Sequence, residues 1–77
     1  MKRYTHKALE SDVEALNEKL ANKGHNMRFK TGARNGYSAI DLARAEEMKK
    51  GTCQRMLFGG SPRECLAACH EYMANNL

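Results

Sequence analysis

Apolar residues recur at spacings of four, three and four through Leu9, Val13, Leu16 and Leu20. That is one face of a helix, and the spacing predicts a helix over 5–23. Thr5 is its N-cap candidate. Lys23 and Gly24 close it with a basic last turn and a glycine suited to the left-handed position beyond the end.

The pattern then changes to alternation. Residues 27–44 surround Asn35-Gly36, the pair that most readily takes the angles of a type I′ turn, so a β-hairpin is predicted. Counting outward from that turn, Arg34 faces Tyr37, Ala33 faces Ser38, and Gly32 faces Ala39. Thr31 faces Ile40, Lys30 faces Asp41, and Phe29 faces Leu42. Phe29, Thr31, Ile40 and Leu42 then share one face, extended by Met27, while Lys30 and Asp41 form an opposite-charge pair on the other. Gly32 is an alternative bulge position. A rival reading takes Ser38 and Asp41 as a capping signal for a helix through 42–50 ended by Gly51. The hairpin accounts for more residues, so 37–43 is read as strand and 45–50 as a loop or a single helical turn.

Residues 53–58, Cys-Gln-Arg-Met-Leu-Phe, suit a third strand. Arg55 favours solvent and Phe58 does not, which assigns Gln54, Met56 and Phe58 to the core side. Gly59-Gly60 ends the strand. Ser61, Pro62 and Glu64 then mark a helix start, with Ser61 and Glu64 as a capping box and Pro62 in the first turn. Leu66, Cys69, Met73 and Leu77 form its expected apolar stripe, flanked by Cys65, Ala68 and Tyr72, with fraying at Asn75-Asn76.

The predicted fold is a single α+β domain over residues 1–77. It is a two-layer sandwich in the order helix-strand-strand-strand-helix, with a three-stranded antiparallel meander covered on one face by two helices. This order resembles the double-stranded RNA-binding domain, and the resemblance covers most of the chain. It implies the layer arrangement. It does not extend to that family's binding residues. Where the family carries lysines at the start of the last helix, this chain reads Ser61-Pro62-Arg63-Glu64-Cys65. The loop Gly32-Ala33-Arg34-Asn35-Gly36 holds no histidine. Arg34-Asn35-Gly36-Tyr37 and Ser61-Pro62-Arg63-Glu64-Cys65 also look like segments of small uncharacterised bacterial and bacteriophage proteins.

Length and composition narrow the picture. Seventy-seven residues make one small core. The basic start, Met1 to Lys7, is followed by no apolar run, so neither a signal peptide nor a membrane span is expected. An odd count of three cysteines points away from a disulfide framework and towards a reducing, cytoplasmic setting. The net charge is +4, made of +3 in residues 1–7, −2 in 8–23, +3 in 24–44 and zero in 45–77.

Candidate chemistry is sparse. Cys53, Cys65, Cys69 and His70 are the one set with metal-ligand character, but they lack a Cys-x-x-Cys pair, and Cys69 lies on an apolar stripe. They are read as core thiols, with no metal and no cofactor. His6, His25 and His70 fall on separate elements, and no nucleophile-base grouping emerges, so no enzyme is expected. Gly59-Gly60-Ser61 lacks the lysine and length of a phosphate loop and is read as a turn before a cap. Arg28, Lys30, Arg34, Tyr37 and Arg55 form the candidate site, a basic sheet face with one aromatic, suited to single-stranded nucleic acid. The leading expectation is contact with protein, either a foreign partner or a second copy. Two sheet edges, and the low charge of 53–58 in particular, motivate it.

Overall fold

The computed structural model describes residues 3–34 and 36–77; the side chain of Arg34 also lies outside the description. The chain runs α1 (His6–Asn22), β1 (Met27–Arg34), β2 (Tyr37–Arg44), α2 (Ala45–Lys50), β3 (Arg55–Phe58) and α3 (Pro62–Asn76). The three strands form one antiparallel sheet in the order β1-β2-β3. It is an α+β fold with helices packed on the sheet.

α1 begins where Thr5 Oγ1 accepts the Ala8 N–H at 3.1 Å. It ends at Lys23, followed by Gly24 at φ +83°. Its buried stripe is Leu9, Val13, Leu16 and Leu20, the one set by the spacing. The hairpin register also matches residue for residue, from Arg34↔Tyr37 through Phe29↔Leu42 to Met27↔Arg44. Gly32 sits in unbroken pairing, so no bulge forms there. The expected Asn35-Gly36 turn falls partly outside the described residues. Gly36 has φ +81°, the left-handed angle such a turn requires.

Between β2 and β3 the chain forms a six-residue helix rather than a loop or single turn. Glu46 and Glu47 open α2 and Lys49 and Lys50 close it, the order that complements a helix dipole. Glu47 reaches back to the Arg44 N–H at 3.3 Å, and Gly51 ends the helix at φ +77°. α2 touches both β1 and β2. Ala43 lies on the sheet face turned away from the core yet is only 2% exposed. That face is therefore covered at the Ala43 end, beside α2, and open at Lys30, Tyr37 and Phe58.

The largest correction concerns β3. Its pairs are Ala39↔Phe58, Ile40↔Leu57, Asp41↔Met56 and Leu42↔Arg55. Directly opposed residues share a face, so Leu57 and Arg55 join Ile40 and Leu42 on the helix side. Met56 and Phe58 point outward, and Phe58 is 68% exposed. Period-two alternation makes a one-residue change of register exchange the two faces. The preference of arginine for water does not settle which face it takes. Arg55 stands on the inner face at the sheet edge, among Tyr72, Asn75 and Asn76 near the end of α3, where an exposed guanidinium is possible.

The core joins α1, Phe29, Ile40, Leu42 and two thiols of α3. Cys65 and Cys69 are fully buried and form the centre of the α3 stripe, with Leu66, Tyr72 and Met73 half-buried beside them. Leu77, expected in that stripe, is exposed. α3 is rotated so that small side chains make its closest approach to the sheet. Tyr72 meets Phe29 edge-on at 6.3 Å and 87°.

Candidate interaction site at the third strand

The basic face expected from the sequence is met only in part among the described residues. Arg28 turns back on its own chain, its Nη1 donating to the carbonyls of His25 at 2.5 Å and Met27 at 2.7 Å. Lys30 is exposed but paired in register with Asp41. Arg55 lies on the opposite face. Arg34 has its backbone in β1, with the side chain outside the described residues. Of the five, Lys30 and Tyr37 keep the expected character, outward and exposed, Tyr37 at 61%.

What the structure brings together instead is aromatic. Phe58 pairs with Ala39, and Tyr37 is two residues along β2 from Ala39 on the same face. The two rings are therefore diagonal neighbours, in reach of one partner group. Phe58 was missed because Cys53, Arg55 and Leu57 alternate as well as Gln54, Met56 and Phe58, and no local residue breaks the tie.

On the other side of β3, a groove of about 210 Å³ opens towards α3 over Leu57, Ala68 and Tyr72, with Arg55 and Glu71 on its rim. The end of the strand is set by a thiol. Cys65 Sγ donates to the Ser38 carbonyl at 3.0 Å and accepts from the Gly59 N–H. Ser38 and Gly59 would be the next pair of the β2–β3 ladder, so the thiol replaces that rung. Gly59 is also pressed against α3: a Cβ there would stand 2.5 Å from Cys65 N and 2.8 Å from Glu64 C.

The thiols are held in their neutral form. Burial pushes Cys69 up to about 12, with Cys65 adding to the effect. Burial also raises Cys65, against the opposing pull of the Gly59 N–H. Burial and then the adjacent Asp41 carboxylate raise Cys53. Among the described residues, Asp41 Oδ1 is itself buried without a hydrogen-bond partner. Among the described residues no three histidine, cysteine or acidic side chains are grouped to hold a metal ion. Cys53 is half-buried, Cys65 and Cys69 are buried, and His70 is exposed.

These shifts have a signed consequence. A group whose pKa rises on folding stabilises the fold below its unfolded pKa and loses that contribution as pH climbs to the folded value. Cys69 rises from 9.0 to about 12. Tyr4, through burial and then its hydrogen bond to Asp12, rises from 10.0 to about 12. Denaturant midpoints are therefore expected to hold from neutral pH to pH 9 and fall between pH 9 and 12. In the native protein an aromatic disulfide reagent should reach Cys53 alone, and all three thiols after unfolding. A midpoint flat across that window, or rapid native reaction at Cys65 or Cys69, contradicts the assignment.

Comparison with known proteins adds no relative: no family model, curated protein or solved structure matches this chain. Among the described residues no helix is long and apolar enough to cross a membrane.

Proposed function

We propose that this domain is a binding module that works by contact with protein, through the outer aromatic corner at the end of β3. One observation carries this reading. Phe58 and Tyr37, large rings 68% and 61% exposed, stand on one face at one end of the sheet. Aromatic side chains are enriched at the centres of protein interfaces, where they supply contact area at little entropic cost. The setting is a cytoplasmic accessory protein of bacterial or phage type, in keeping with three free thiols and with the sequence resemblance. The reading is binding rather than catalysis, and burial, which raises all three thiols, disfavours their use as nucleophiles.

Single-stranded nucleic acid is the second reading, because the same two rings offer stacking faces beside Lys30. It has less support than protein contact. Arg28, expected to track phosphates, is folded onto backbone carbonyls, and Arg55 is placed on the other face. A photo-crosslinking amino acid at position 58 separates the two. Protein adducts are expected at 58 and none at Glu14, on the exposed side of α1. Adducts that vanish on nuclease treatment would transfer the function to nucleic acid. Equal adducts at both positions would remove the site altogether.

A further inference from the structure

Helices finish the sheet at its two edges, and they do so differently. On β1, the side chain of Asn17 in α1 bonds Phe29 as a neighbouring strand does. Asn17 Nδ2 donates to the Phe29 carbonyl at 2.8 Å, and Asn17 Oδ1 accepts the Phe29 N–H at 2.8 Å. At the other edge, α3 has fifteen residues against the four of β3. Ala68, Glu71, Tyr72 and Asn75 recur at helical spacing on one flank of α3, and that flank lines the groove between α3 and β3. The floor is apolar. Leu57 and Tyr72 are packed against the core and half-buried, with the small Ala68 beside them.

The polar groups around that floor carry opposite charges and have no partners of their own. Among the described residues, the Arg55 guanidinium, the Glu71 carboxylate and the Asn75 amide take part in no side-chain hydrogen bond and no ion pair. Asn76 differs, since its Nδ2 donates to the Tyr72 carbonyl at 3.0 Å. Arg55 and Glu71 stand on the two elements that wall the groove. Its volume of about 210 Å³ sets both within the span of one small molecule.

We infer that this groove binds a free α-amino acid with an apolar side chain, held as a zwitterion. The ligand carboxylate pairs with Arg55, whose planar fork matches that group. The ligand ammonium pairs with Glu71, and the Asn75 amide offers a donor and an acceptor beside them. The ligand side chain lies over Leu57, Ala68 and Tyr72, where removing apolar surface from water adds affinity. Charge complementarity selects this class over simpler ones. An apolar carboxylic acid would leave Glu71 unpaired beside a second carboxylate. An apolar amine would leave Arg55 beside an ammonium. A phosphate-bearing ligand would bring further negative charge against Glu71. Phe58 and Tyr37 stand on the other face of the sheet, so this site goes beyond the protein-binding reading and does not depend on it.

Titration of the isotope-labelled full chain with L-leucine, followed through its amide NMR signals, tests this. Saturable shifts are expected at Arg55, Leu57, Ala68, Glu71, Tyr72 and Asn75, with a dissociation constant on the order of 1 mM. Two analogues that each lack one charge are expected to bind at least about tenfold more weakly. They are isocaproate, which has no ammonium, and isoamylamine, which has no carboxylate. Arg55→Gln should weaken L-leucine about tenfold without weakening isoamylamine. Glu71→Gln should weaken L-leucine about tenfold without weakening isocaproate. Both residues are exposed, so circular dichroism is expected to match the parent. No saturable shift up to about 50 mM L-leucine overturns the inference. So do shifts scattered away from the groove, and so does either analogue matching L-leucine in affinity.

Discussion

Gly59→Ala is expected to lower the melting temperature by roughly 12–24 °C, while Gly60→Ala, one residue on, changes it little. The added methyl at 59 would sit 2.5 Å from Cys65 N and 2.8 Å from Glu64 C. Both are backbone atoms of the first turn of α3. Cys65 N donates to the Ser61 carbonyl at 3.0 Å, so displacing it opens the start of the helix. Displacement also pulls the thiol from the Ser38 carbonyl. Overpacking of this kind costs about 3 kcal/mol, against roughly 4–12 kcal/mol for a whole domain of this length. At Gly60 the nearest atoms are side-chain atoms of Glu64 at 3.5–3.8 Å, which is ordinary contact. Thermal melts of the two variants side by side decide the point. A Gly59→Ala protein melting within about 3 °C of the parent would show that the strand-helix junction can relax.

Asn17→Ala is expected to cost about 2 kcal/mol and to open the β1 edge. The substitution removes a donor and an acceptor at once, leaving the Phe29 N–H and C=O unpaired beside a nearly buried ring. An unmade bond to a shielded main-chain group costs more than the bond contributes when formed. Exchange of the Phe29 amide with deuterium gives the direct reading. In the parent it should be protected although β1 is an edge strand. In Asn17→Ala it should exchange at least about tenfold faster, since about 1.4 kcal/mol of local opening is a factor of ten. Exposing this edge should also favour aggregation, because an unpaired strand is a template for another chain. Equal exchange in the two proteins would mean that α1 shields the strand without help from the amide.

Neither variant's effect could be read in advance, because both depend on contacts between separate elements. Local rules carried α1, the hairpin and the start of α3. Leu9 to Leu20 meet a helical period, Asn35-Gly36 sets a register by counting, and Ser61 with Glu64 satisfies donors within its own turn. Each signal involves residues near in sequence, so the chain declares it without knowing the fold. The candidate site had no such signal. Arg28 was a surface cation by composition, yet its guanidinium is spent on carbonyls one and three residues away. Asn17 was a polar position on a helix, with nothing in its neighbours to say that a strand would arrive twelve residues later to be bonded.

The amino-acid sequence by itself determined the order of the two long helices and the three strands, the hairpin register and the buried faces of α1 and of β1 and β2, because spacing, turn chemistry and capping act over a few residues. Only the tertiary structure decided which side of β3 faces the core, how α3 is rotated on the sheet, and what α2 covers. Each of those depends on contacts between segments far apart in the chain: the pairing of β3 with β2, the thiol of Cys65 lodged between Ser38 and Gly59, and the close approach that only glycine at 59 allows. A strand of four residues with apolar side chains on both faces has no preferred side until those contacts form. That is why Phe58, expected in the core, stands in the open at the corner where a partner is proposed to bind.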